Sequence, residues 1–165
     1  MEINTRFATI QDINQVYDIE KECFNESERL EKNIFYFFLL NNKGEIFLVV
    51  ETKPENGKPE LIGFIVSYLN SQENYEIITI NVLKKHRNKG IATELMLGLE
   101  KEIQTRLKTI INKNVITIEL VVYELNKPAI KLYQKLGYKN VENIPKYYAG
   151  TRNGIRMNKK ISQKR

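Results

Sequence analysis

"VLKKHRNKGIATELMLGLEK", residues 82–101, is the stretch on which the fold turns. Just before it, "YEIITINVL" (75–83) has the β-branched and aromatic content of a strand, with Ile78, Ile80 and Val82 on one face together with Glu76. Four cations, Lys84, Lys85, Arg87 and Lys89, then fall within six residues and are followed by Gly90. From about Lys89 the period changes. Ile91, Leu95, Leu99, Ile103 and Leu107 step by four, with Ala92 and Met96 beside them, which predicts a long helix covering a sheet. A strand, a cationic loop and a helix in that order offer unpaired N–H groups and the positive end of a helix dipole to whatever lies in front. Phosphate is the expected guest. Gly90 is expected to let the backbone approach it closely, with Ala92 small for the same reason. Neither the P-loop pattern nor GxGxxG is present, and the segment alone also reads as a basic turn that binds nothing.

Working outward, "INTRFAT" (3–9) predicts a short strand, and Thr9 suits the start of a helix over "IQDINQVYDIEKECF". Asn25 or Ser27 is a candidate cap for a second helix over "NESERLEKNIFYFFLLNN", ended by the turn chemistry of "NNKGE". "EIFLVVET" and "LIGFIVSYLN", joined by the polar turn "KPENGKPE" (53–60), predict a hairpin. "VITIELVVY" (115–123) is a further strand, "NKPAIKLYQKLGY" a short helix with Pro128 in its first turn and Gly137 at its end, and "YKNVEN" and "GIRMNKKI" are the last strands. The final "SQKR" reads as a frayed tail. The order is strand, two helices, three strands, helix, strand, helix, two strands. That predicts an α/β fold with a mixed, mostly antiparallel sheet of about six or seven strands and about four helices, as one domain over residues 1–165.

Composition narrows the function. No apolar run approaches a membrane span, and the N-terminus lacks a signal-peptide core, so a cytoplasmic protein without a membrane partner is expected. One cysteine, Cys23, rules out an internal disulfide, and one histidine, His86, leaves a metal few ligands. Cys23 is expected to be a packed thiol and His86 to face solvent. The net charge of +6 belongs to the C-terminal end, since residues 139–165 carry eight Lys/Arg against Glu142 alone. No stripe of cations with interleaved aromatics accompanies it, and nucleic acid is not expected as the main partner.

"RNKGIA" (87–92) resembles the Q/R-x-x-G-x-G/A pyrophosphate loop of the GNAT superfamily of acetyl-CoA-dependent N-acetyltransferases. "NKPAIKLYQKLGY" (126–138) is similar to that superfamily's N-x-x-A-x-x-x-Y-x-x-x-G-F/Y segment, matched by Asn126, Ala129, Tyr133, Gly137 and Tyr138. The element order along residues 3–160 resembles the GNAT fold as well. Within the superfamily, "YEIITINVLKKHRNKGIATELM" and "IPKYYAG" (144–150) most resemble protein N-terminal acetyltransferases of the ribosomal-protein-alanine (RimI) and archaeal or eukaryotic N-alpha type. The chain departs from them after that, with "TRNGIRM" where many relatives have an acidic stretch.

The resemblance implies acetyl-CoA held by Arg87, Asn88, Lys89, Gly90, Ile91, Ala92 and Thr93, by Asn126, by Tyr133, and by main-chain groups of Ile80, Asn81 and Val82. The Val82 N–H would serve the oxyanion. Tyr133 falls on the tyrosine that relatives aim at the thioester sulfur, although Ala129, Leu132, Tyr133 and Leu136 also make a core stripe. Asn126 reads equally as a helix cap. For the base, Val121 stands where RimI-type enzymes carry a glutamate, so Glu76, eleven residues before Arg87, is the leading candidate and Glu119 the second. Tyr147 and Tyr148 match a pair that borders the peptide groove. Residues 18–31 carry six acids against two bases, and a negative wall favouring a cationic amine is expected there. The implied acceptor is the N-terminal α-amine of a protein or peptide. A GNAT acting on a polyamine, aminoglycoside or amino acid, and a non-catalytic acetyl-CoA-binding module, are the alternatives.

Overall fold

The computed structural model describes residues 2–41, 44–53, 57–107, 109 and 113–162. Its elements run β1 (Ile3–Phe7), α1 (Ile13–Cys23), α2 (Lys32–Leu40), β2 (Ile46–Thr52), β3 (Leu61–Leu69), β4 (Tyr75–Val82), α3 (Ile91–Arg106), β5 (Val115–Tyr123), α4 (Lys127–Lys135), β6 (Lys139–Tyr148) and β7 (Arg152–Ser162). Short 3-10 turns at Ile10–Asp12 and Lys84–His86 precede α1 and α3. The element order is the expected one. The seven strands are ordered β1-β2-β3-β4-β5-β7-β6, antiparallel at β1/β2, β2/β3, β5/β7 and β6/β7 and parallel at β4/β5. No helix among the described residues is long and apolar enough to cross a membrane. The chain divides into two compact units, residues 1–68 with 78–102 and residues 69–77 with 103–165.

In the first unit β2 and β3 are buried on both faces, which is why they read as continuous apolar runs rather than alternations. Phe35 of α2 meets Phe47 and Phe64 on one face, the latter edge-on at 5.5 Å. On the other face α3 comes close to the sheet. A Cβ on Gly63 would lie 2.8 Å from the Asn81 carbonyl and 3.3 Å from Ile91, so only glycine fits between β4 and α3. The stepped residues Ile91, Leu95, Leu99, Ile103 and Leu107 are all buried, as their spacing predicts.

In the second unit β5 alternates cleanly. Ile116, Ile118, Leu120 and Val122 are buried, and so are Met157 and Ile161 on β7 and Ile130, Tyr133 and Tyr138 on or beside α4. The opposite face, with Glu119, Val121 and Tyr123, is only partly covered.

Two local expectations need correction. Thr9 does open the first helical segment, its N–H and hydroxyl donating to the Asp12 carboxylate at 2.7 and 3.0 Å. Asn25 and Ser27, however, do not cap α2. They form a separate turn in which Asn25 Oδ1 accepts from the Ser27 N–H and hydroxyl, and α2 starts only at Lys32 behind Glu31. The final strands are longer than "YKNVEN" and "GIRMNKKI" suggest, because β6 continues through the irregular pairing at Ile144/Tyr148. On β4 the more buried face holds Tyr75, Ile77, Thr79 and Asn81, opposite the face that carries Glu76, Ile78 and Ile80. Parts of the predicted turns at 41–45 and 53–60, and most of the "SQKR" tail, lie outside the described residues.

Arg6 anchors β1. Its Nη atoms donate to both Asp12 oxygens at 2.7 and 3.0 Å, and its Nε and Nη2 to Glu51 at 3.1 and 2.8 Å. Burial pushes the Asp12 carboxyl up, but the hydrogen bonds from Arg6 and Thr9 together bring it below the usual carboxylate range, and the bond from Arg6 does the same for Glu51. Folded values below the unfolded ones mean stability that is present above about pH 4 and lost as pH falls through the lower folded values. Arg6→Met is therefore expected to destabilise the fold by about 1–3 kcal/mol at neutral pH, partial solvation of the pair keeping it at that level. Denaturant unfolding at neutral pH and near pH 3 checks this, and the difference from the parent protein should shrink at the lower pH.

Candidate active site

The first unit carries the cationic loop. Arg87 folds back on its own strand end, Nε donating to the Val82 carbonyl at 3.1 Å and Nη2 to Cys23 Sγ at 3.4 Å. Lys89 Nζ caps the Lys85 carbonyl at 3.0 Å. Asn88 (φ 60°) and Gly90 (φ 81°) both take the left-handed conformation, so the backbone curls twice around Lys89 before α3 starts. The first α3 hydrogen bond runs from the Glu94 N–H to the Gly90 carbonyl, which leaves the N–H groups of Ile91, Ala92 and Thr93 without partners inside the helix. Nothing lies within 4 Å of where a Gly90 Cβ would be. The glycine thus answers the backbone turn rather than a close approach by the protein, and the space before it is open.

Cys23 is a packed thiol, also touching the Val82 carbonyl at 3.6 Å, and burial pushes its pKa up despite the Arg87 guanidinium. His86 corrects its expectation of facing solvent. Both ring nitrogens are shielded and hold no hydrogen bond among the described residues, and burial, then Lys89 and Lys85, push its pKa down. Asn81 is buried, its Nδ2 donating to Glu20 at 2.7 Å and Thr79 Oγ1 at 3.0 Å, so its side chain is structural and only its main chain is available to a ligand. Glu20 is 1% exposed, which removes it from the expected acidic wall. Asp18 pairs with Lys21 at 2.7 Å and Glu22 accepts the Lys84 N–H at 2.8 Å. Of the six acids at residues 18–31 only Glu20 is buried, and Glu22, Glu26 and Glu31 remain exposed.

The second unit gathers the other candidates. Asn126 caps α4, its Oδ1 accepting the Ala129 N–H at 3.3 Å. Tyr133, one α4 turn after Ala129, is 6% exposed and packs against Tyr138 with ring centroids 6.1 Å apart. Burial first, and then Tyr148, push its pKa far up, so the phenol keeps its proton as a donor. Tyr148 donates to the Val121 carbonyl at 3.0 Å, is pushed up to about 12 by burial and Tyr147, and stacks edge-on with Tyr147 at 4.8 Å.

The parallel pairing of β4 with β5 sets Glu76 directly beside Glu119, and the charge of Glu76 is felt by Tyr147. Glu76, Glu119, Tyr147 and Tyr148 thus come together, and Tyr133 joins them through Tyr148. Three residues with no role in the sequence reading complete this region. Arg152 lies over Tyr123 and Tyr148 at 4.9 and 5.6 Å, Arg156 bonds Glu119 and Glu142, and a Cβ on Gly154 would collide with Val121 at 2.6 Å. Their signal was the alternation of "TRNGIRM", which puts 152, 154 and 156 on one strand face.

A model of the acetyltransferase (GNAT) family matches residues 13–138. The chain belongs to that family. It is 28% identical over 162 residues to the N-alpha-acetyltransferase of Sulfurisphaera tokodaii, covering 90% of this chain and 87% of that protein. It is 30% identical over 145 residues to the catalytic subunit of the N-terminal acetyltransferase B complex of Arabidopsis thaliana, covering 86% of this chain and 74% of that one. Its fold matches the crystal structure of Ard1 from Thermoplasma volcanium with a TM-score of 0.81 at 21% identity, over 99% of this chain and 100% of that one. The protein is an N-acetyltransferase, and acetyl-CoA is its acetyl donor.

The residues present fit that donor. An open glycine, free first-turn N–H groups and exposed cations are what a pyrophosphate requires. Gly90→Val forces a branched residue to φ 81° and places a side chain in the open space, and acetyl-CoA binding should weaken at least about tenfold. Calorimetry on the folded variant checks it. Tyr133→Phe keeps the ring and removes the donor, so turnover should fall by roughly tenfold or more while acetyl-CoA affinity stays within about twofold. Steady-state rates beside the same calorimetry separate the two.

Proposed function

We propose that this chain, acting as a single acetyltransferase domain, acetylates the N-terminal α-amine of proteins or peptides by direct attack within a ternary complex. What carries the reading is that both relatives above, each matched over more than four fifths of this chain, are named for N-terminal acetylation. The chemistry of the candidate residues supports it. Acetyl-CoA supplies an acetyl group already activated as a thioester. The loop Arg87–Thr93 holds the pyrophosphate, with main-chain groups of Ile80, Asn81 and Val82 and the Asn126 cap region along the rest of the molecule. Glu76 accepts the proton that the amine must lose, directly or through a water, and the Val82 N–H donates to the oxygen on which charge develops. Tyr133 gives a hydrogen bond or proton to the departing sulfur. Glu119, with both oxygens engaged by Asn74 and Arg156, is the weaker proton acceptor. Tyr147, 45% exposed at the hairpin beside Glu76, borders the acceptor's first residues together with Tyr148.

An α-amine has a pKa of about 8 and a lysine side chain about 10.4, so one carboxylate base at neutral pH suits the former. Peptide α-amines should be acetylated faster than ε-amines by at least about tenfold, and Glu76→Gln should lower the rate by roughly tenfold or more at neutral pH. Mass spectrometry of a peptide library beside a panel of small amines checks it. Acetyl groups on internal lysines, or on polyamines alone, would instead favour the small-amine reading.

A further inference from the structure

The β6–β7 hairpin of the second unit seats a cation on two aromatic rings. Arg152 stands opposite Tyr148 in the ladder, and its guanidinium carbon lies 5.6 Å from the centroid of that ring and 4.9 Å from that of Tyr123. The two rings meet at 79° with centroids 6.2 Å apart. Hydrogen bonds fix this platform. Tyr148 donates to the Val121 carbonyl at 3.0 Å, the Lys146 N–H donates to Asn153 Oδ1 at 3.0 Å, and Asn153 Nδ2 donates to Glu124 Oε1 at 3.0 Å. Residues 143–156 hold three cations, Lys146, Arg152 and Arg156, and no acid. The charge of Arg156 is met by Glu142 and Glu119 at 3.0 and 3.4 Å, and Glu76 lies beyond, beside Glu119.

A guanidinium resting on ring faces keeps its N–H donors in its own plane, where they hydrogen-bond past the rings. Held in this way it recognises a carboxylate in two-pronged fashion at little ordering cost. The half-exposed Tyr147 ring lies 4.8 Å from Tyr148, so about three residues of extended chain are enough to run from Tyr147 to Arg152. We propose that Arg152 is a specificity-determining residue that receives an acidic side chain from the second or third residue of the acceptor. The inference rests on the reading of Tyr147 and Tyr148 as the border of the acceptor groove. It names the acceptor class as N-termini with Asp or Glu close behind the reacting amine.

The test is kcat/KM at one pH for peptides identical except for Asp, Ser or Lys at the second or third position. Each peptide is compared with itself between variants, so the ionisation of its amine cancels. The parent protein should prefer the Asp over the Ser peptide by about five- to twentyfold, and that preference should shrink severalfold between about 0.05 and 0.5 M salt. Arg152→Gln should bring the Asp-to-Ser ratio to within about twofold of one, and Arg152→Glu should turn the preference toward the Lys peptide. Should Arg152→Gln not fold, Arg152→Met, which keeps an apolar stem on the two rings, is read by the same ratio. A parent protein without preference for the acidic peptides overturns the proposal. So does an Asp-to-Ser ratio that survives in the folded variant, because another group then reads the acid. In both cases the peptides are still acetylated and only the role of Arg152 falls; if small amines are acetylated and no peptide α-amine is, the N-terminal reading falls with it.

Discussion

Asn81 of β4 donates to the Glu20 carboxylate at 2.7 Å, a buried bond at the strand end that leads into the cationic loop. Glu20 also accepts the Leu30 N–H at 2.8 Å, so one buried carboxylate ties α1, the connection to α2 and the last turn of β4 together. Burial pushes the Glu20 pKa up, and the bonds from Leu30 and Asn81 pull it back. A buried polar group of this kind costs free energy unless every partner is in place, which gives the first unit a strong preference for a single arrangement. β4 then delivers Val82 to the loop with its carbonyl held by Arg87, and Gly63 lets α3 seat its first turn against the strand.

The second unit places a buried phenol and half-covered carboxylates in the same neighbourhood. Tyr133 is buried among aromatics, where the charged form is penalised. The carboxylates stand instead on the half-covered face of β4 and β5, where solvent and Arg156 can support charge. The sheet separates the two environments by strand alternation alone. Even-numbered residues of β5 are apolar and buried, and odd-numbered ones carry or border the polar groups.

Much of this was legible in the sequence, and the reasons are specific. The four-residue step of α3, the alternation of β5 and the Pro128 and Gly137 punctuation of α4 are local signals, and each element formed where its signal lay. The α2 start was misplaced because an Asx-type turn at Asn25 uses the same residues as a helix cap, and nothing local tells the two apart. Glu20 looked like one more acid on a solvated face. Its partner Asn81 is sixty-one residues away, and only the packed fold brings them together. Arg156 was invisible for the same reason, since its meaning depends on strands that come from four separate stretches of chain.

Val121 shows how such long-range pairing redirects chemistry. The position where the resemblance calls for a glutamate is occupied here by a valine whose Cγ1 lies 2.6 Å from where a Cβ on Gly154 would be, while Tyr147 presses on the same glycine. The missing side chain at 154 and the compact branched one at 121 are therefore complementary, and together they let the Tyr147–Tyr148 hairpin close onto β5, where Tyr148 reaches the Val121 carbonyl. Carboxylates stand instead two residues back along the same strand face at Glu119, which Arg156 contacts, and across the ladder at Glu76. The fold thus keeps a carboxylate near the tyrosine pair while giving up the usual position for it, and the exchange depends on one glycine in the final strand.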